Sequence, residues 1–277
     1  MALQAWAGRS GVNPSLSAPV AVALSAGADS TALLLATRRL WSGRVLALHV
    51  NHGMQDAAIG FERRAVSLAQ SLDVPLHVER LTVQVEAGQS PEEVARQVRY
   101  RALAAMAQRA GACAVLLGHQ AETLMLALGR GAGLPGLAAM PSSFERHGVR
   151  FGRPLLALGG SDLRQWLGDQ GVAFVEDPSN LDLQLARNRI RHVLMPAWER
   201  CFPAFRDTLS RTARHAAQAQ GLLDELARVD LHCTGVPPSI AGLRSLSRER
   251  QANALRRWIK DEAGRGPSTA QLETLLG

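Results

Sequence analysis

The stretch VALSAGADSTALL (residues 22–34) sets a small, hydroxyl-rich turn between two apolar runs. A turn of this kind after a strand and before a helix suits phosphate. Small residues let the backbone come close to an anion. The first turn of the helix offers N–H groups without intrahelical partners and the positive end of its dipole. The expected cradle is Ser25, Ala26, Gly27, Ala28, Asp29, Ser30 and Thr31, with hydroxyls from Ser25, Ser30 and Thr31 as further donors. Asp29 would repel a bare phosphate, so its presence points to Mg2+ bridging it to the phosphates of a nucleotide. The loop has neither the lysine of GxxxxGK[ST] nor a GxGxxG pattern. The plain alternative is a helix that simply follows a strand.

Other polar groups stand at places where a strand would end or a helix begin. Asn51 and His52 close LHVNH. Arg96, Arg99 and Tyr100 recur at i, i+3 and i+4, on one helical face; alone, they read as a solvated basic face. His119 follows an apolar run, and Glu122 and Arg130 lie beyond it. Arg187, Asn188 and Arg191 crowd the segment ARNRIRH, where Arg187 could equally pair with Asp177 or Asp182.

The charge of the chain agrees with an anionic partner. Its 277 residues carry 31 Lys+Arg against 24 Asp+Glu, a formal charge of +7, with an isoelectric point near 10.7. Lys260 is the sole lysine. The planar arginine fork matches phosphate and base edges, so a nucleic acid is a fair expectation; arginine-favouring codon usage would give the same composition. Aromatic residues make up 4% of the chain, too few for an evident base-stacking surface. Cys113, Cys201 and Cys233 form no CxxC pair, which argues against a thiolate metal site and a disulfide framework. No apolar run is long enough to span a bilayer, and the first residues do not read as a secretory signal. The expectation is a reduced, cytoplasmic protein without a membrane partner.

Elements that would position these residues can be read in order. Strands are expected at residues 20–24, 45–50, 76–83 and 113–117, and helices at 30–40, 61–72 and 91–110. Alternation of this kind predicts an α/β fold, a parallel sheet with helices on both faces, and a ligand site at the carboxyl ends of the strands. The composition changes after residue 177. Helices are expected at 203–229, 246–263 and 269–276. The boundary is placed near 196–203, giving a catalytic domain at 1–200 and a smaller helical domain at 201–277.

The loop at residues 25–30 resembles the SGGxDS loop of the N-type ATP pyrophosphatases (the PP-loop family), which share an adenine nucleotide alpha hydrolase-like fold. Ala26 stands where that family usually has glycine. Further stretches resemble its tRNA(Ile)-lysidine synthase branch: LHVNHGM (48–54), EEVARQVRYRAL (92–103), LLGHQAETLMLALGRGAGLPGLAAM (116–140), RPLL (153–156) and VEDPSNLDLQLARNRIRHVLMP (175–196). The segment 247–276 resembles that branch's helical middle domain, and a further terminal domain of the family is absent or not included. The branch also usually carries residues with an Asp pair before QAET, whereas His119 here abuts Gln120.

The resemblance implies an enzyme that uses ATP and Mg2+, free L-lysine and tRNA(Ile) with a CAU anticodon. The C2 oxygen of the wobble cytidine attacks the α-phosphate and pyrophosphate leaves. The lysine ε-amine then displaces AMP to give lysidine. It implies catalytic roles for Asp29, His119, Glu122 and Arg96, with Asp29 holding the metal. Residues 25–31 with Asn51 and His52 would bind ATP, and Arg99, Arg130, Arg187, Asn188 and Arg191 would bind RNA. Alternatives are a thiolase of the same family and a non-catalytic tRNA-binding relic.

Overall fold

The computed structural model describes residues 2–51, 58–81, 91–119, 122–138, 141–176, 182–264 and 266–277, and only the backbone of residues 58, 91–93 and 122–123. His52, Gln120 and residues 177–180 of the DPSN motif lie outside the described residues. The chain forms two compact units, Met1–Gly131 with Met140–Arg211, and Ala132–Ala139 with Thr212–Gly277.

The first unit begins with α1 (Ala2–Ser10) and continues β1 (Val20–Ala23), α2 (Ala28–Leu40), β2 (Val45–Asn51), α3 (Ala58–Ser71), β3 (Leu76–Arg80), α4 (Pro91–Arg109), β4 (Ala114–Leu116) and α5 (Glu122–Gly129). After α6 (Leu134–Ala138), which belongs to the second unit, come β5 (Ser143–Arg146), β6 (Val149–Gly152), α7 (Gly160–Asp169), α8 (Ala186–Arg189), a π-helical turn (Ile190–Leu194) and α9 (Met195–Cys201).

β1 is apolar throughout because both of its faces are covered. Val20 and Val22 join one core with Leu33 and Leu34 of α2, Leu68 of α3 and Leu163 of α7. Ala21 and Ala23 join the opposite core with Leu103, Ala104 and Met106 of α4. The strand order is β3-β2-β1-β4-β6-β5. β3, β2, β1, β4 and β6 pair in parallel. The direction of chain progression reverses between β1 and β4, where such sheets open a crevice at their carboxyl ends.

The expected parallel sheet gains an antiparallel edge. β5 pairs with β6, with Phe144 opposite Phe151, across a two-residue turn in which His147 and Gly148 have φ of 52° and 69°. Positive φ at both central residues matches the right-handed twist of a hairpin. α1 was not expected either. It is anchored by Trp6, which is 1% exposed, packs over Gly152, where a Cβ would lie 2.2 Å from the ring, and donates its indole N–H to Ser142 O at 2.7 Å.

The second unit contains most of α10 (Phe205–Thr234), then α11 (Ile240–Arg244), α12 (Arg248–Ala263) and α13 (Thr269–Leu276). Ala252, Leu255 and Leu272 form one buried cluster there, with Trp258 packed against them. Ser239, Ser247 and Ser268 cap α11, α12 and α13, and Ser268 with Gln271 completes a capping box. Among the described residues, no helix is long and apolar enough to cross a membrane.

Trp6→Ala removes the largest side chain joining α1 to the sheet edge. The expected cost is about 3–5 kcal/mol of first-unit stability, measured by denaturant unfolding. A loss under about 1 kcal/mol, the size of one ordinary hydrogen bond, would show that α1 is dispensable.

Candidate nucleotide and anion site

The turn after β1 is fixed from three directions. Leu24 N–H donates to Leu48 O, and His49 Nδ1–H donates to Leu24 O at 2.8 Å. Val175 N–H donates to Ala26 O at 2.9 Å, where Gly27 and Val175 form a parallel bridge. The chain entering the DPSN motif therefore braces the loop. Within the loop, Ser30 Oγ donates to Gly27 O and accepts from Ser25 N–H, both at 3.1 Å. With its single proton so used, Ser30 accepts from Ser25 Oγ, 3.1 Å away.

Of the three expected hydroxyl donors, Ser25 is the exposed one. Ser30 is buried as an internal staple, and Thr31 Oγ1 is buried with no partner among the described residues. The open part of the cradle is therefore mainly backbone. Gly27, at the N-cap of α2, makes no side-chain cap, and the first-turn amides of a helix lie outside its intrahelical ladder. Asp29 sits half-buried on that turn.

Ala26 has φ of 64°, the left-handed region that favours glycine. Its methyl is fully buried in the core beneath the loop. The departure from the family pattern therefore places its Cβ in the packed interior. Gly118, at the exit of β4, is more constrained. A Cβ there would stand 3.0 Å from Asp29 C and Ser30 N. β4 thus runs against the first turn of α2, and His119 is the next residue.

His119 gathers side chains from three other segments. Arg153, just after β6, donates from Nε to His119 Nδ1 at 3.2 Å, from Nη1 to Pro141 O at 3.1 Å and from Nη2 to Tyr100 Oη at 3.3 Å. Its guanidinium lies 4.2 Å from the Phe144 ring centroid. Arg96 lies over the Tyr100 ring at 5.8 Å. Burial, then Arg153, Arg99, Arg187 and Arg96, hold the His119 imidazole well below its ordinary pKa. Burial is also the main cause lowering Arg99, with Arg187 and Arg96 adding to it. No acidic side chain among the described residues pairs with Arg99. Cationic groups packed this way favour an anion.

Arg187 lies on α8, which packs with the π turn against α5. Its expected alternative, a pair with Asp182, is not formed; Asp182 Oδ1 accepts from Gln184 N–H instead. Asp177 lies outside the described residues. Asn188 is buried and donates to Asp182 O at 2.8 Å, which fixes the entry to the π turn carrying the half-buried Arg191. Glu122 opens α5. Arg130 is exposed just past the end of α5, and among the described residues no hydrogen bond or ion pair joins its side chain to the His119 group. Asn51 ends β2 and donates to Glu62 Oε2 at 2.8 Å. Glu62 also pairs with Arg80 at 2.5 Å; hydrogen bonds from Arg80 and Asn51 hold its carboxyl down at about 2.

The sequence reading assigned no role to Arg153 or Gly118. The signals were present in RPLL and GH, but the meaning of each depends on partners brought in from distant segments.

A profile of the PP-loop domain matches residues 9–198, and the mostly parallel sheet with a small-residue turn between its first strand and α2 agrees with that class. A profile of the TilS substrate binding domain matches residues 239–276. The chain is 50% identical over 266 residues to the tRNA(Ile)-lysidine synthase of Polaromonas naphthalenivorans, covering 95% of this chain and 81% of that protein. It is 41% identical to the synthase of Ralstonia nicotianae over 92% of this chain, and 40% identical to that of Burkholderia mallei over 93%. It spans 57% and 55% of those two proteins. The U34-tRNA thiolase NcsA from Methanococcus maripaludis shares the fold, with a TM-score of 0.68 at 16% identity over 78% of this chain and 76% of that one. This chain belongs to the tRNA(Ile)-lysidine synthase family.

Two outcomes follow from the geometry. Gly118→Ala forces β4 away from the backbone of α2, so ATP-dependent activity falls while the fold melts cooperatively; unchanged nucleotide use at wild-type stability would count against the close approach. Glu62 contributes stability that is complete above its ordinary pKa of 4.5 and is lost as pH falls towards about 2. Glu62→Gln should flatten the fall of Tm across that window, and identical acid slopes in both proteins would remove Glu62 from the account.

Proposed function

We propose that this chain attaches lysine to C2 of the wobble cytidine of tRNA(Ile) with a CAU anticodon, using ATP and releasing first pyrophosphate and then AMP. The reading is supported above all by one juxtaposition. Through Gly118, the uncapped terminus of α2 lies one residue from His119 and the arginines around it.

In this reading, residues 1–200 are catalytic and residues 201–277 form a helical tRNA-binding domain. The amides of residues 26–30 and the Ser25 hydroxyl hold the pyrophosphate portion of ATP, with Asn51 and His52 towards the nucleoside. Transfer of a phosphoryl or nucleotidyl group relies on positioning and on fixed positive groups where charge develops. Arg96 and Arg99 supply that charge on α4. Glu122 orients the lysine ammonium or takes its proton, because the amine must be neutral to attack. Arg130, Arg187, Asn188 and Arg191 engage the RNA, with the unpaired anticodon base turned into the site.

Mg2+ fits the donor set. Asp29 is the carboxylate on the first turn of α2, and Mg2+ is often held by one or two carboxylates plus the phosphates of the substrate. Asp29 would hold the ion beside the phosphates of the nucleotide, and the ion would supply neutralisation of phosphate charge. The thiolase reading finds less support, because Cys113, Cys201 and Cys233 are unpaired. A binding-only relic would not require the loop to stay braced by Ser30, His49 and Val175.

Asp29→Ala should lower ATP–pyrophosphate exchange by on the order of 10²-fold or more and leave tRNA affinity within a small factor in the same buffer. Equal loss of exchange and tRNA binding would overturn the assignment of Asp29. AMP release that does not depend on lysine would overturn the reaction.

A further inference from the structure

Arg153 is 3% exposed, and each of its three N–H-bearing nitrogens has an acceptor. Nη1 meets the Pro141 carbonyl, Nη2 the Tyr100 hydroxyl and Nε the Nδ1 atom of His119. The Phe144 ring supports the guanidinium from one face. Arginine carries a proton on every guanidinium nitrogen and has no acceptor. His119 Nδ1 must therefore accept through its lone pair, and the ring proton must reside on Nε2. An imidazolium would set one N–H against another.

We propose that Arg153 is a positioning residue that fixes His119 as the neutral Nε2–H tautomer, so that His119 acts as a hydrogen-bond donor to an anionic oxygen of the reactants and not as a base. The tautomer follows from the contact itself. Its consequence for the reaction rests on the function proposed above.

The electrostatic surroundings act in the same sense. Burial acts first, and the charged groups among the described residues that act on His119, Arg153 after β6, Arg99 and Arg96 on α4 and Arg187 on α8, are all cationic. Neither ring nitrogen then has a lone pair free for a proton: Nδ1 is occupied and Nε2 is already protonated. When the lysine amine attacks C2 and the bond to AMP breaks, the amine proton must leave elsewhere. A carboxylate is the suitable acceptor, and Glu122 at the start of α5 is the candidate. Lysine at position 153 would supply the charge without the fork that meets three acceptors at once.

The test is nitrogen-15 NMR of the full chain labelled in histidine, with the His119 signals assigned by their loss in His119→Asn. In the wild-type protein they should report a neutral ring with the proton on Nε2, and should not titrate near the ordinary value of 6.5. Arg153→Met, which keeps an unbranched apolar stem beside Phe144, should move the His119 titration towards 6.5. It should also lower kcat for lysidine formation by on the order of 10²-fold, with a smaller change in the KM for ATP. A wild-type His119 with its proton on Nδ1, or one that titrates near 6.5, overturns the proposal without any variant. A titration unchanged in a folded Arg153→Met protein overturns the role of Arg153. A fixed Nε2–H tautomer in a protein that forms no lysidine would leave the positioning intact and sink only the proposed reaction.

Discussion

The approach of β4 to the first turn of α2 is the constraint on which the candidate site depends. Gly118 has no side chain, and only for that reason can the strand exit touch the backbone of Asp29 and Ser30. The contact joins two features that are far apart in sequence. One is a helix terminus whose N-cap residue, Gly27, has no side chain to cap it. The other is His119 with its arginines. A helix end left in this state is normally capped or solvated. Here the loop spends its own hydroxyl, that of Ser30, on internal bonds to Ser25 and Gly27, which stiffens the cradle while leaving the first-turn amides outside the helical ladder. A preformed cradle needs little reorganisation when an anion arrives, and this is the condition under which fixed dipoles are most effective.

The arginine group has a cost of the opposite kind. Bringing Arg99 and Arg153 out of water beside Arg96 and Arg187 is unfavourable, and burial lowers the pKa of both Arg99 and Arg153. Aromatic faces recover part of it: Phe144 lies under Arg153, and Tyr100 lies near Arg96 and Arg146. Perturbed groups clustered in this way are met at functional sites more often than in structural cores, and a bound polyanion such as that of the proposed function would offset the remaining cost.

Much of this architecture was legible because its elements carry simple periodic signals. β1 and α2 stand out since an apolar strand, a small-residue turn and an apolar helix follow one another without a break, and α13 has the bounds expected for it, with Ser268 and Gln271 capping its start. The β5–β6 hairpin was missed because its strands are only four residues each and its turn relies on His147 in the left-handed region, which few residue types advertise. α1 was missed because its role rests on one side chain, Trp6, and on the space above Gly152. In the site, residue types were readable and directions were not. Ser30 and Thr31 look like Ser25 in the sequence, yet the turn of the helix buries both. Arg153 looks like a strand-end arginine until Tyr100, His119 and Pro141 are brought around it.

The alanine at position 26 bears on whether the loop remains competent. Left-handed geometry costs a residue with a Cβ about 1–2 kcal/mol, while burying its methyl returns about 0.8 kcal/mol. The balance is a net cost of about 0.2–1.2 kcal/mol, small enough for the alanine to be tolerated. Because the methyl joins the core containing Leu24, Ala28 and Ala32, the substitution does not fill the space over the amides of α2. A loop drifting without function would be expected to lose its costly features first: the left-handed residue, the uncapped helix and the glycine pressed against backbone. This chain keeps all three, and that retention weighs on the side of a working nucleotide cradle.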